Sequence, residues 1–394
     1  MNRRLAGWIG VGIAAVAMAA GAAWLLSLPP AAAPAEAPPI AEPERAATLA
    51  ALKPPRRARP VIAIVGINDA TETTDYLMPY GILRRADIGE VAALATQPGP
   101  VKLFPALQVE PDATIAQFDA RHPQGADYVL VPAMSRDDDP VVLQWIRSQA
   151  AKGATVIGIC AGAKVVAAAG LLDGKRATTH WYYLDDLLEK HPKVRYVPDR
   201  RIVVDGRVAT TTGITASMPM TLTLIEAVAG RDKAAAVARD LGLPHWDARH
   251  DSDAFTFTRP FALTAIGNTM AFWNRERLGI ALQPGIDEVS LALVADAWSR
   301  TYRSHAVSFA EQAGPVETRN GVRLLPEHIG SDWDRQRIIP PIAEPQPARA
   351  LDQALNAIGK RYGTRTEAFV AMQLEYPRAS SLPIQQTEAA RNTP

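Results

Sequence analysis

Three short apolar runs, each too brief to be a helix, decide what most of this chain can become. Val61–Gly66 (VIAIVG) is β-branched and ends on glycine, and similar runs recur at 127–131 (DYVLV) and 155–159 (TVIGI). An unbroken apolar run of that length suits a strand covered on both faces, as in a parallel sheet. Helical patterns lie among them at 73–85, 140–152 and 162–171, and two more, at 216–229 and 234–241, close the unit near Trp246. Strands alternating with helices predict an α/β fold, a parallel sheet with helices on both faces. The 394 residues are enough for two domains, and a 48% hydrophobic content can fill their cores.

Ahead of that unit, residues 5–28 carry no charge, and Arg3 and Arg4 precede them. A helix needs about 20 apolar residues to cross a bilayer. The arginines favour a cytoplasmic N-terminus. The expectation is a single-pass inner-membrane anchor with the globular part periplasmic or otherwise extracytoplasmic. The other reading is a cleaved signal peptide, cut in the small-residue stretch AAAPAEA. Residues 31–60 are rich in Pro and Ala and read as an extended linker.

An internal repeat follows. Residues 222–244 match 355–377 at an offset of 133: Leu222 with Leu355, Ile225 with Ile358, Gly230 with Gly363, Leu241 with Leu374 and Pro244 with Pro377. Upstream, Gly99-Pro100-Val101 match Gly314-Pro315-Val316, and Pro111 matches Pro326, at an offset of 215. The offsets 215 and 133 differ by 82, so the second stretch keeps the beginning and end of the unit and lacks about 82 residues of its middle. The expected organisation is an anchor at 1–30, the linker at 31–60, a complete unit at 61–246, a connector at 247–276, a truncated copy at 277–378 and a tail at 379–394. Apolar positions such as Leu291, Leu293, Val294, Leu355 and Ile358 are expected to bury the copy against the first unit, because a unit stripped of its middle exposes a sheet edge or a helix face.

The chemistry lies in the part the copy lacks. Gly158-Ile159-Cys160-Ala161-Gly162 follows a strand and opens a helix, with the spacing of a nucleophile elbow and Cys in the nucleophile position. Gly158 and Gly162 permit the sharp turn. A helix N-terminus favours a thiolate, which predicts a lowered thiol pKa, and the Ala161 amide is placed to hold an oxyanion. Cys160 is the chain's one cysteine, so an intrachain disulfide and a multi-thiolate metal site are both excluded. A net charge of +1 gives no electrostatic case for nucleic acid. Spacing does not choose a base among His122, His180, His191, His245, His250, His305 and His328.

The string ICAGAKVVAAAGLLDGKRATTHW, ending at Trp181, resembles the elbow and following segment of the PfpI-type family, in the class I glutamine amidotransferase-like superfamily. It is similar to the amidase-like domain that often precedes an AraC-type DNA-binding module in transcriptional regulators. The resemblance covers about 61–245 and includes TDYLMPYGIL and TTTGITASMPMTLTLIEAVAG. It implies a flavodoxin-like three-layer sandwich, Cys160 as nucleophile, His180 near it and Asp75 as its acidic neighbour.

Departures accompany the match. Pro132-Ala133-Met134 stands where the family has Pro-Gly-Gly, so the backbone at Ala133 that would serve the oxyanion site is altered. Residues 217–220 carry no acid where relatives often have one. In place of the DNA-binding module, GIDEVSLALVADAW and GPVETRNGVRLLPEH resemble the family's opening segments, with Ser290 at the acidic position and no cysteine after it, so the copy is expected to be catalytically inert.

Two functions remain open from these residues. One is a cysteine-dependent hydrolase, hydratase or lyase acting on a small amide, nitrogenous or reactive carbonyl compound. The other is a non-catalytic small-molecule or redox sensor; a membrane-tethered scaffold is the plainest reading of all. No cofactor, metal or nucleic acid is expected. The expected partners are a small-molecule substrate or ligand, the membrane through the N-terminal helix, and either a second chain in a homodimer or the truncated copy as an internal pseudo-partner.

Overall fold

The computed structural model describes residues 3–31, 35–330 and 332–376; the tail expected at 379–394 lies outside them. Helix α1 (Arg3–Ser27) and helix α2 (Glu42–Ala51) precede the first strand. Pro43 falls in the first turn of α2, where a missing N–H costs nothing. The prolines of 31–60 therefore start a helix as well as extend the chain. This stretch is also fastened to the globule. Leu52 is fully buried and its carbonyl accepts from the Tyr128 hydroxyl at 2.7 Å. Arg56 and Arg57 both pair with the buried Asp127 carboxylate, at 3.2 and 2.7 Å.

Val61–Gly66 forms β1, buried at every position. The chain continues through β2 (Asp69–Glu72), α3 (Thr73–Ala86), β3 (Glu90–Ala95), β4 (Val101–Phe104), β5 (Gln108–Glu110), β6 (Ala113–Thr114) and α4 (Ile115–Arg121). Next come β7 (Tyr128–Val131), α5 (Pro140–Ala151), β8 (Thr155–Gly158), α6 (Gly162–Ala168), β9 (Arg176–Ala177), α7 (Leu184–Lys190), β10 (Arg195–Tyr196), β11 (Ile202–Asp205), β12 (Val208–Thr211), α8 (Ser217–Ala229) and α9 (Arg231–Leu241). The main sheet has the order β11-β12-β8-β7-β1-β3-β6, and every pairing except β11 with β12 is parallel. Side chains of β1 alternate between two apolar layers. Ile62 and Ile64 join Tyr76 and Leu222 on one face, whereas Ala63 and Val65 join Val142 and Val166 on the other. This is the parallel sheet covered on both faces that the alternating pattern predicts, and the flavodoxin-like sandwich that the resemblance implies. Its register sets Val131 beside Gly158, so the carboxyl ends of β7 and β8 open together, where α/β sheets place their sites.

Beyond α10 (Arg259–Met270) the chain builds β13 (Glu276–Ala281), α11 (Glu288–Ser299), β14 (Ser304–Ala310), β15 (Val316–Glu317), β16 (Arg323–Leu324), β17 (His328–Ile329), α12 (Pro347–Tyr362) and α13 (Thr364–Gln373). Strands β13, β14 and β17 form a parallel sheet of their own. Strand β16 pairs with β5, so a second sheet, β15-β16-β5-β4-β2, runs across both halves of the chain. Helix α11 packs on α3, and Leu291, Leu293, Val294, Leu355 and Ile358 lie in one apolar cluster with Leu77 and Leu83.

The contact between α3 and α11 has a reciprocal pattern. Glu72 caps α3 by accepting the Asp75 N–H, and Asp287 caps α11 by accepting the Ser290 N–H. Arg300 at the end of α11 pairs with Glu72, and Arg85 near the end of α3 pairs with Asp287. Positions 72 and 287, like 85 and 300, are 215 apart.

Among the described residues no helix is long and apolar enough to cross a membrane. The expected transmembrane helix and the single-pass inner-membrane placement with an extracytoplasmic globule are corrected on that finding. The last turn of α1 is instead drawn onto the globule. Arg259 donates to the carbonyls of Leu25, Leu26 and Leu28 at 3.1, 2.8 and 3.1 Å, and Trp24 meets Phe257 with ring centroids 6.2 Å apart. A guanidinium satisfies there the terminal carbonyls that a helix leaves open.

Candidate functional site

Two residues after β8 the chain turns so tightly that Cys160 adopts φ +57°, in the left-handed region. For a residue with a side chain this costs on the order of 1–2 kcal/mol and persists only where the surroundings enforce it. They do so here. The Cys160 N–H donates to Thr211 Oγ1 at 3.1 Å, and Thr179 Oγ1 donates to the Cys160 carbonyl at 3.0 Å. At Gly162 a Cβ would stand 1.9 Å from the Val131 carbonyl oxygen, and at Gly158 it would stand 3.0 Å from the Ala163 backbone. The elbow glycines are therefore required by the close passage of β7 and α6.

Asp75 lies in the first turn of α3 and is fully buried. Its Oδ2 accepts the Ala133 N–H at 3.1 Å, while Oδ1 has no hydrogen-bond partner among the described residues. Burial, and then the charge of Glu72, push the Asp75 carboxyl well above the usual carboxylate range. The Ala133 amide, expected to serve an oxyanion, is thus committed to Asp75.

Glu72 Oε2 accepts from the Asp75 N–H and the Thr74 hydroxyl, both at 2.7 Å, and Oε1 accepts from Arg300 at 2.9 Å. Arg300 also donates to Asp296 at 2.7 Å. Burial works against the Arg300 charge, but Asp296 and Glu72 hold it firmly protonated.

The thiol departs from expectation. Cys160 is buried, and its pKa is pushed well above the ordinary thiol value by that burial and then by Asp75, Glu72 and Glu375. The Ala161 amide, hydrogen-bonded to the sulfur, is outweighed. The expected low-pKa thiolate is therefore replaced by a neutral thiol, because α6 spans only Gly162–Ala168 and its N-terminus competes with three nearby carboxyl groups.

His180 is also buried, and burial lowers its pKa. Its Nε2 is 2.9 Å from the Gln373 carbonyl oxygen, and its Nδ1 accepts the Tyr182 N–H at 3.1 Å. That pair of partners sets the tautomer, with the proton on Nε2. The structure thus brings Asp75 and Cys160 together electrostatically. It puts His180 one residue from Thr179, which touches the Cys160 carbonyl, but it turns both ring nitrogens to other partners.

Three participants escaped the sequence reading: Glu72, Arg300 and Glu375. Glu72 was visible as the helix cap before Asp75. Arg300 was visible only by carrying Arg85 along the repeat offset. Glu375 was visible only as the residue that the offset of 133 sets against Gly242. Among the described residues no cluster of His, Cys, Asp or Glu could hold a metal ion. A cavity of about 320 Å³ lies elsewhere, between α2 and the end of α8. It holds no nucleophilic cysteine, and charges in its wall pair with one another, as Arg45 and Arg231 do with Glu226.

Part of the chain is similar to known proteins. The family model described as the DJ-1/PfpI family matches residues 61–227. A Pseudomonas putida protein named isonitrile hydratase is 36% identical over 172 residues, which cover 42% of this chain and 72% of that protein. The HTH-type transcriptional regulator CdhR of Pseudomonas aeruginosa is 30% identical over 197 residues, covering 49% of this chain and 55% of the regulator. Among solved structures, Drosophila melanogaster DJ-1beta is 24% identical with a TM-score of 0.43, and the match covers 48% of this chain and 100% of that one.

Proposed function

The chain belongs to the DJ-1/PfpI family, and from that premise we propose that Cys160 is the nucleophile of a small-molecule enzyme, a hydratase or hydrolase acting on an electrophilic carbon of a nitrogenous or carbonyl compound. The observation that carries this reading is the pairing of an elbow cysteine in a left-handed conformation with a neutral, buried Asp75 that keeps one oxygen free. A nucleophile held as a thiol needs its proton removed as it attacks. Asp75 does this by relay: one oxygen takes the thiol proton while the carboxyl gives its own to the atom that gains the electron pair, the terminal carbon of an isonitrile or the heteroatom of an amide or carbonyl. The sulfur–carbon bond forms in the same step. With an amide the protonated amine then leaves; water displaces the sulfur and the thiol is restored, so the net reaction is hydration of an isonitrile or carbonyl and hydrolysis of an amide. The relative named isonitrile hydratase supports this class. His180, with its proton on Nε2, orients the loop that carries Thr179.

In the same proposal residues 61–246 are the working unit and 277–378 a truncated copy that has become its partner. The reciprocal caps and ion pairs at an offset of 215, and the repetition of strand, helix and parallel strand in β1-α3-β3 and β13-α11-β14, support that reading.

The deciding experiment is turnover of a panel of isonitriles, small amides and reactive carbonyls by the wild type, Cys160→Ser and Asp75→Asn. Activity lost in both variants, with a covalent adduct on Cys160 detected by intact mass, is the expected result. Turnover unchanged in Cys160→Ser would end the proposal. A sensor is the second reading, favoured by the covered neutral thiol and by the regulators among the relatives. It predicts saturable binding of a small molecule with no turnover.

A further inference from the structure

The last residues of α13 and the segment after it close over the Cys160 site through a row of hydrogen bonds. The Met372 carbonyl accepts from Trp181 Nε1 at 3.0 Å, the Gln373 carbonyl from His180, and the Leu374 carbonyl from the Thr215 N–H at 3.2 Å. The Glu375 carbonyl accepts from Thr215 Oγ1 at 2.8 Å. The Glu375 side chain goes deepest. Its Oε2 accepts the Gly213 N–H at 2.6 Å and its Oε1 accepts the Trp181 N–H at 2.8 Å, with His250 Nε2 3.8 Å away. A carboxylate is thus gripped at both oxygens by two backbone amides, in loops that flank the elbow. Gly213 is fitted to it, since a Cβ there would stand 2.6 Å from the Glu375 side chain.

The backbone shows that this residue is placed at a cost. Glu375 has φ +48° at the left-handed position that ends α13, with the Tyr376 N–H returning to the Ala371 carbonyl at 2.9 Å. The end of α9 repeats this geometry 133 residues earlier: Gly242 has φ +77°, and the Leu243 N–H returns to the Ala238 carbonyl at 2.9 Å. Glycine takes that conformation freely and glutamate does not. The cap itself has no use for a carboxylate, so the glutamate answers to the cradle it fills.

We infer that the Gly213 and Trp181 amides form a carboxylate-binding subsite of the Cys160 pocket, and that Glu375 occupies it as an internal ligand which an external small carboxylate replaces. The inference rests on the proposed role of Cys160 as nucleophile and narrows its substrates to molecules that carry a free carboxylate as well as the electrophilic carbon. It also makes the closed structure the resting form, in which the thiol is covered until the segment yields.

The test uses the full chain, in which alkylation by iodoacetamide reports on Cys160 alone, with acetate as the probe. In Glu375→Ala the alkylation rate is expected to rise about tenfold or more, because the rate of such a buried group follows local opening. Acetate is then expected to restore slow alkylation in that variant, acetamide to have no effect, and the wild type to ignore both. Gly213→Ala is the second variant. Its φ of −62° accepts alanine, and the added methyl expels the Glu375 carboxylate while blocking the cradle, so alkylation should be fast and insensitive to acetate. Folded variants that alkylate at the wild-type rate would overturn the inference, and so would a fast Glu375→Ala that acetate does not protect. Should Glu375→Ala fail to fold, Gly213→Ala decides alone: fast alkylation supports the inference and the wild-type rate overturns it. The two proposals fail separately. Acetate protection without any substrate adduct would remove the nucleophile and keep the subsite. A substrate adduct in a Glu375→Ala variant blind to acetate would do the reverse.

Discussion

Replacing Asp75 by Asn should make the protein more stable and less active, and the gain in stability should depend on pH in a calculable way. In the folded chain the Asp75 carboxyl is held above its ordinary range by burial and by Glu72. In the unfolded chain it titrates near 3.9. A group with a raised folded pKa gives stability that is complete below the unfolded pKa and is lost as pH rises towards the folded one. Over that window the unfolded chain sheds a proton that the folded chain keeps. The loss runs at about 1.4 kcal/mol per pH unit. Asn cannot ionise, so it escapes that loss, while its carbonyl can still accept the Ala133 N–H as Oδ2 does now. The difference in unfolding free energy between Asp75→Asn and wild type should therefore be near zero at about pH 4 and grow with pH, at up to about 1.4 kcal/mol per unit, until the folded carboxyl ionises. Urea unfolding at a series of pH values measures it directly. A flat difference, or one in which Asn becomes the less stable form as pH rises, would mean that Asp75 is ionised in the fold, and the proton relay would have to be abandoned. Turnover in the same variant should fall by about 10² to 10⁴, the usual contribution of a positioned acid.

Other consequences are as direct. Arg300→Met leaves the buried Glu72 and Asp296 without their cation and should cost about 3–5 kcal/mol in chemical denaturation, more than Arg85→Met, whose partners Asp240 and Asp287 are less buried. Equal effects would refute the assignment of Arg300 as the central charge. Iodoacetamide labelling of Cys160 across pH should give a midpoint above the free-thiol value of about 8.5, and the midpoint should move down in Glu375→Gln, which removes one of the carboxylates that raise it. A wild-type midpoint below that value would restore the thiolate first expected from the elbow. Gly162→Ala should disrupt the elbow, because its new methyl meets the Val131 carbonyl, and a soluble variant with wild-type thermal stability would show that the turn is looser than its geometry implies.

How far the sequence could be read depended on the distance over which each signal acts. The VIAIVG strand, the elbow glycines and the apolar positions of α11 are local patterns, and all fold as read. The linker was misjudged because proline has two meanings: it stops a helix from inside and starts one at the first turn, and Pro43 does the second. The charge-free N-terminal run gave length and hydropathy, but not the docking of its end by Arg259, which lies more than two hundred residues away. The Cys160 thiol was misjudged for a similar reason. A helix N-terminus is a neighbour in sequence, whereas Glu72, Asp75 and Glu375 reach the sulfur through the fold, and burial multiplies what they do there. The offset of 215 that aligns Gly99 with Gly314 also aligns Arg85 with Arg300.

Arg300 and the Gln373 carbonyl reach the Cys160 neighbourhood from the far end of the same chain. Had a second molecule supplied them, the fraction of complete sites would follow mass action, falling on dilution and rising with expression. A covalent connection removes that dependence, because the two halves meet at a fixed effective concentration, often in the millimolar range for joined modules. Specific activity should then be the same at nanomolar and micromolar protein, and mixing with an inactive variant should give simple proportional loss. The connection also removes symmetry, since one chain carries one cysteine and therefore one site. Within one chain, saturation of that site by a ligand should follow a plain hyperbola.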